Sequence, residues 1–385
     1  MEMKIPLFKT HWHESDVTAV QAVIKRGSYW AVGPEIKEFE KKLATFSDRK
    51  YALTFNSGTS ALVALYRAIG VQGKEVMVPS FTFIATANAV ILAGGIPIFV
   101  ESEEETLGLD VEDVKNKITP NTKAIVALNY AGGVSKDIEK LREISEEKEI
   151  VLLEDNAHSL GVRKNGKLCG TFGVGAALSF CQNKLITTGE GGAVITDSQK
   201  LYEKMKLFRS HGRVENNDGD YFSSLEEHDY LEVGHNFRMS SINAALGLSQ
   251  LENFAKTMQL RKESGEKLSE SLEKIEGIKV PKPFENSDHF YQMYTIMLEN
   301  KEIRNSLQNY LNEKGIMCRV YYQPVHLKSF YKKRFGCKEG DLPKTEVISQ
   351  RILTLPMYPG ISNEELSYII MEINKFMSSY HENSL

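Results

Sequence analysis

Four short segments carry residue types that could do chemistry together. Asn56-Ser57-Gly58-Thr59-Ser60 joins the apolar run Tyr51 to Phe55 to a helical stretch. Small hydroxylated residues at a helix start offer backbone N–H groups and the positive end of the helix dipole to an anion. Leu153-Glu154-Asp155-Asn156-Ala157-His158 closes another apolar run. Open α/β sheets bind ligands at the carboxyl ends of their strands, so a carboxylate there can meet a cationic ring nitrogen. Ser179-Phe180-Cys181-Gln182-Asn183-Lys184 leads into the Gly-rich Thr187-Thr188-Gly189-Glu190-Gly191-Gly192. A lysine so placed becomes a nucleophile when burial and nearby positive charge lower its pKa. Pro79-Ser80-Phe81-Thr82-Phe83 ends a further strand, where an aromatic could stack on a flat ring. Each segment also has a plain structural reading: helix capping, a turn cap, a solvated lysine, a core phenylalanine. Their order separates the readings. An anion-binding helix start, an aromatic, an aspartate about 30 residues before a lysine, and a Gly-rich loop match what pyridoxal phosphate needs.

The elements that must position these residues alternate in type. Ile36, Phe39, Leu43 and Phe46 predict an amphipathic helix opening after Pro34. Strands are expected at Tyr51 to Phe55, Glu75 to Val78, Ile96 to Val100, Ala124 to Leu128, Ile150 to Leu153, Gly173 to Phe180 and Gly192 to Thr196. Helices are expected at Ser60 to Ile69, Ile84 to Ala93 and Ile138 to Lys148, with Ser240 capping a later one. Such alternation predicts an α/β sheet with helices on both faces. Val214 to Glu232 is polar and aperiodic and predicts a surface loop. Beyond about residue 260 the texture changes. Pro281 and Pro283 interrupt it, strands are expected near Tyr294 to Leu298 and Cys318 to Tyr322, and Glu364 to Met377 forms a last amphipathic helix. The expected division is a large domain over residues 1–255 and a smaller α+β domain over 256–385.

Taken together, the chain resembles the nucleotide-sugar aminotransferase family of DegT/DnrJ/StrS type, within the fold-type I pyridoxal phosphate enzymes. The resemblance runs through GPEIKEFEKKLATF, ALTFNSGTSAL, VPSFTFIATANAV, LLEDNAHSLGV, SFCQNKLITTGEGGAVITD, GHNFRMSSINAALGLSQL, YYQPVH and LTLPMYPGIS. It implies a mostly parallel seven-stranded sheet flanked by helices, with a smaller α+β C-terminal domain. It further implies that Lys184 forms the internal aldimine with pyridoxal 5′-phosphate, that Asp155 holds the pyridine nitrogen protonated, and that His158 lies beside the phenolic oxygen. Gly58, Thr59 and Ser179 correspond to phosphate contacts, and Phe83 to the aromatic over the ring. Asn236 resembles a residue reaching the phosphate in the neighbouring subunit, which implies a homodimer with shared sites. Tyr321, Tyr322, His326 and Arg238 match the sugar-side wall. The implied reaction is a ping-pong transfer from an amino-acid donor, glutamate in the family, to a keto group of a nucleotide-linked sugar. The departures are Asn156, where Ala or Cys is commoner, and Cys181-Gln182, where His-Pro or Tyr-Pro is usual.

Composition bounds the alternatives. The 385 residues hold 47 Lys+Arg against 51 Asp+Glu, a formal charge of −4, with 42% hydrophobic residues. That balance supports neither a nucleic-acid groove nor an anionic membrane surface. The apolar stretch from Phe81 to Val100 is broken by Thr82, Thr86, Asn88, Gly94, Gly95 and Pro97 and is not expected to span a membrane. The N-terminal residues lack a signal-peptide pattern, and four scattered cysteines read as reduced thiols, so a cytoplasmic enzyme is expected. His11 and His13 are two imidazoles without further ligands, and no metal is expected. Two rival readings share the fold. A sugar 3-dehydratase of this family carries histidine in place of the lysine, whereas Lys184 is present here. A non-catalytic regulatory member is disfavoured by the pairing of Lys184 with Asp155.

Overall fold

The structure is a computed structural model, and it describes residues 4–214 and 229–382. Twelve strands are labelled in chain order. The first five are β1 (Tyr51–Phe55), β2 (Glu75–Pro79), β3 (Ile96–Val100), β4 (Thr122–Leu128) and β5 (Val151–Asp155). A short hairpin, β6 (Arg163–Lys164) and β7 (Lys167–Leu168), precedes β8 (Gly175–Ser179) and β9 (Gly192–Thr196). The remaining three are β10 (Ile278–Lys279), β11 (Tyr294–Leu298) and β12 (Ile352–Leu355).

Seven strands form one sheet in the order β1-β9-β8-β5-β4-β2-β3. Neighbours pair in parallel from β8 to β3, and β9 alone runs against both of its neighbours. The expected α/β class is therefore the observed one. The strands read as short unbroken apolar runs because both faces are covered, as parallel sheets require. Leu53, Val76, Val78, Val126 and Leu153 face one helical layer, while Met77, Ile125, Ala127 and Leu152 face the other.

β10, β11 and β12 form a separate antiparallel sheet. Its core includes Tyr294, Ile296, Leu353 and Leu355 beneath the helices Phe254–Leu272, Lys301–Glu313 and Asn363–Glu382. Ile5, from the other end of the chain, bridges to Ile316 and is buried in this core. The strand expected over Cys318 to Tyr322 is absent; only Arg319 makes a bridge, to Thr354. The Tyr321 carbonyl instead accepts from the Tyr130 hydroxyl, so the segment leaves the sheet and runs toward the large one. β8 begins two residues later than expected because Phe172 and Gly173 turn their N–H groups onto the Glu154 carboxylate. Of the expected surface loop, residues 215–228 lie outside the described part. No helix among the described residues is long and apolar enough to cross a membrane.

Candidate active site

The carboxyl ends of β5 and β8 lie side by side, and the titratable groups gather there. Asp155, the last residue of β5, is buried. The Thr86 hydroxyl donates to its Oδ2 at 2.7 Å, and the Ala157 N–H donates to Oδ1 at 3.2 Å. Thr86 sits in the helix Ala85–Leu92, and its oxygen is 2.9 Å from the Thr82 hydroxyl. Burial pushes the Asp155 carboxyl above its ordinary value; Thr86, the Ala157 N–H and Lys184 pull it back only in part. Glu154 points to the opposite face of the strand. There it accepts from the N–H groups of Gly170, Phe172 and Gly173 and from the Asn129 amide, and so shapes the loop before β8.

Lys184 lies in a turn just past β8, closed by its own N–H donating to the Cys181 carbonyl at 2.9 Å. The side chain is half-buried, and its Nζ makes no hydrogen bond among the described residues. Burial lowers the amine to about 8, against the opposing pull of Asp155 and Cys181. Two distant residues hold this turn. Thr10 Oγ1 donates to the Gln182 carbonyl at 3.3 Å, and Gln292 Nε2 donates to the Asn183 carbonyl at 2.9 Å.

His158 is buried, and its Nδ1 accepts from the Ala131 N–H at 3.4 Å. That contact assigns the ring proton to Nε2, which lies 3.2 Å from the Tyr322 hydroxyl. The two rings stack with centroids 6.1 Å apart. Burial, followed by the Lys184 charge, lowers the imidazole well below its ordinary value, so it is a neutral N–H donor.

A helix start faces this cluster. Ser57 caps the helix Gly58–Ile69 by accepting from the Ser60 N–H at 3.0 Å. A Cβ on Gly58 would lie 3.0 Å from Ser179 Cβ, and one on Gly192 would lie 2.5 Å from the Ser57 carbonyl oxygen. Both glycines therefore let the helix start press against the ends of β8 and β9, which brings Gly58, Thr59 and Ser179 together. Phe83 is 57% exposed, with its ring 6.2 Å from that of Tyr322. Tyr321 and Tyr322 are half-buried. Arg238 donates to Ser210 Oγ at 3.1 Å, and Asn236 is exposed, with its carbonyl accepting from the Asn56 amide beside the helix start. His326 departs from expectation. It is 1% exposed, with both ring nitrogens engaged inside the protein, and so does not face an open cleft.

These groups fit pyridoxal phosphate on the geometry alone. Among the described residues, Lys184 is the one cation acting on this buried carboxylate held above its ordinary value, which suits a ring nitrogen that gains a proton. A helix start that carries glycine at its first position, beside the Ser179 hydroxyl, suits a phosphate. An exposed aromatic beside buried polar groups suits a flat ring.

A sequence profile of the DegT/DnrJ/EryC1/StrS aminotransferase family matches residues 11–374. The GDP-perosamine synthase of Escherichia coli O157:H7 is 35% identical over 347 residues, covering 90% of this chain and 91% of that protein. Helicobacter pylori PseC, an aminotransferase involved in the biosynthesis of pseudoaminic acid, superposes with a TM-score of 0.91 at 30% identity, covering 98% of this chain and all of that one. The PLP-form of the putative sugar aminotransferase Spr1654 from Streptococcus pneumoniae superposes with a TM-score of 0.91 at 26% identity, covering 98% and 99%.

Proposed function

Because the chain belongs to the DegT/DnrJ/EryC1/StrS aminotransferase family and is a sugar aminotransferase, we propose that it aminates a keto group of a nucleotide-linked sugar. Glutamate is the donor, and the two half-reactions alternate at one site. Pyridoxal 5′-phosphate, when bound, supplies a carbonyl that takes up amino nitrogen and a ring that withdraws electrons from the reacting carbon. The observation that carries this reading is the pairing of a lysine amine lowered to about 8 with a buried carboxylate at neighbouring strand ends.

In this reading Lys184 is the covalent anchor. Its amine, with a pKa near working pH, would serve as the base that takes a proton from the donor α-carbon. Asp155 would hold the ring nitrogen protonated, and His158 would lie beside the ring oxygen. Gly58, Thr59 and Ser179 bind phosphate, Phe83 covers the ring, and Tyr321, Tyr322 and Arg238 line the sugar side. Asn236, exposed beside the helix start, serves the site of a second subunit, so the working unit is a homodimer. Residues 1–255 form the cofactor-holding part and 256–385 the smaller part. The enzyme works in the cytoplasm, where its four free cysteines stay reduced.

Lys184→Ala tests the mechanism. The variant is expected to lose both 2-oxoglutarate release from glutamate in the presence of keto-sugar nucleotides and the visible absorbance of bound cofactor. Full turnover in the variant refutes the role of Lys184. A wild-type protein that consumes the sugar without releasing 2-oxoglutarate is instead the dehydratase of the rival reading.

A further inference from the structure

His326 lies far from solvent in a chain of three side chains that join separate parts of the fold. Ser80, the residue after β2, is fully buried, and its hydroxyl lies 2.7 Å from His326 Nδ1. His326 Nε2 lies 3.1 Å from Oε1 of Glu346, in the helix Pro343–Arg351. The backbone N–H of His326 donates to Ser80 Oγ at 3.2 Å. Ser80 therefore gives its own proton to Nδ1, and the Nε2–H goes to Glu346. Glu346 is fixed in turn by the N–H groups of Gly340 and Leu342. Serine, histidine and an acid in series resemble an acyl-transfer triad, but Ser80 has no access to solvent and its oxygen already accepts from backbone. The chain can only hold things in place.

What it holds is the segment bearing Tyr321 and Tyr322. The Val325 N–H donates to the Ser80 carbonyl at 2.9 Å, and at the other end the Tyr321 carbonyl accepts from the Tyr130 hydroxyl. Between these two attachments, Tyr322 places its hydroxyl on His158 Nε2. Ser80 also begins the stretch that carries Phe81 and Phe83, whose rings lie 6.3 Å and 6.2 Å from that of Tyr322. One buried serine therefore sets the relative position of two aromatic-bearing segments and, through them, of the imidazole.

We propose that Ser80, His326 and Glu346 are a positioning unit that fixes Tyr322 against His158, so that the orientation of the His158 N–H depends on residues that never touch substrate. This rests on the amino-transfer reading above. A packing role would cost stability alone, whereas a positioning role must couple His326 to Tyr322.

The test uses holoenzyme of wild type, His326→Ala, Tyr322→Phe and the double variant. The readouts are the induced circular dichroism of the bound cofactor, kcat/KM for the keto-sugar nucleotide, and the melting temperature. Both single variants are expected to lose dichroism to the same extent and to drop about tenfold in kcat/KM, the scale of one hydrogen bond. The double variant is expected to lose no more than either single one. His326→Asn, which keeps an acceptor for Ser80, is expected to recover most of the dichroism. Additive losses, or a fall in melting temperature with unchanged dichroism, overturn the proposal. Should His326→Ala not fold, Ser80→Ala removes only one hydroxyl and is expected to match Tyr322→Phe; wild-type dichroism there overturns the proposal equally. A wild-type protein that binds cofactor but releases no 2-oxoglutarate overturns the function instead, and the dichroism comparison still decides the positioning.

Discussion

Replacing Thr86 by Val removes one hydroxyl from beneath the site at nearly constant shape. That hydroxyl makes the shorter of the two protein hydrogen bonds to the Asp155 carboxylate, 2.7 Å against 3.2 Å from the Ala157 N–H. A hydrogen bond to an ionised group contributes about 1.5–3 kcal/mol, and one between neutral groups about 0.5–1.5 kcal/mol. The Asp155 carboxyl titrates above 3.8 in the folded protein, so its ionisation costs stability as pH rises through the folded value. Thr86→Val raises that value further. The extra loss is therefore small below it, grows with pH, and levels off once the carboxyl is fully ionised. For 385 residues the unfolding entropy is roughly 0.8 kcal/mol/K. The expected drop in melting temperature of cofactor-free protein is then about 2–4 °C at the alkaline end of a scan from pH 4 to pH 8, falling toward about 1–2 °C at its acid end. Scanning fluorimetry of wild type and variant across that range measures it. Equal losses at both pH values would refute the assignment of Thr86 to the ionised carboxylate.

Two further outcomes follow from the turn that carries Lys184. With the amine lowered to about 8, its acylation in cofactor-free protein is expected to rise with pH through a midpoint near 8, followed by mass spectrometry of the Lys184 peptide; a midpoint near 10.5 contradicts the burial argument. Gln292→Leu removes the donor to the Asn183 carbonyl but also a buried Oε1 that has no partner among the described residues, so stability should change by less than about 1 kcal/mol while cofactor affinity falls, which equilibrium dialysis against melting temperature separates.

What could be read from sequence depended on how local the cause was. The strands of the main sheet are legible because burial on both faces leaves short runs such as YALTF and GAVIT. The helix Glu14–Arg26 carries no such signal. It follows no strand, and of its apolar residues only Val23 is buried while Val17 and Ile24 stay about half exposed, so its pattern points to no core. Asp155 and Lys184 stand out because a carboxylate and an amine at strand ends are unusual in themselves. Thr86, Ser80, Glu346 and Gln292 do not, because each acts across a separation that no motif spans: Thr86 reaches Asp155 over 69 residues and Ser80 reaches His326 over 246. For His326 the residue type drew attention correctly, but the sequence could not tell an imidazole lining a cleft from one enclosed between a serine and a glutamate.

Burial drives Asp155, His158 and Lys184 all toward their neutral forms, so the cluster is poised to receive charge rather than to carry it. Asp155 is the larger of the two influences that hold the Lys184 amine up against burial. A cation seated on Asp155 takes over that carboxylate and leaves the amine freer to lose its proton, which couples ring binding to the preparation of the base. Asp155→Asn separates the two effects because it moves them in opposite directions. Without the carboxylate, Lys184 in the cofactor-free protein should be acylated at lower pH than in wild type, since only burial and the weaker Cys181 influence remain. Turnover should nevertheless collapse, because no carboxylate is left to keep a ring nitrogen protonated. Acylation that moves to higher pH, or turnover that survives, would mean that Asp155 serves the fold and not the charge of the site.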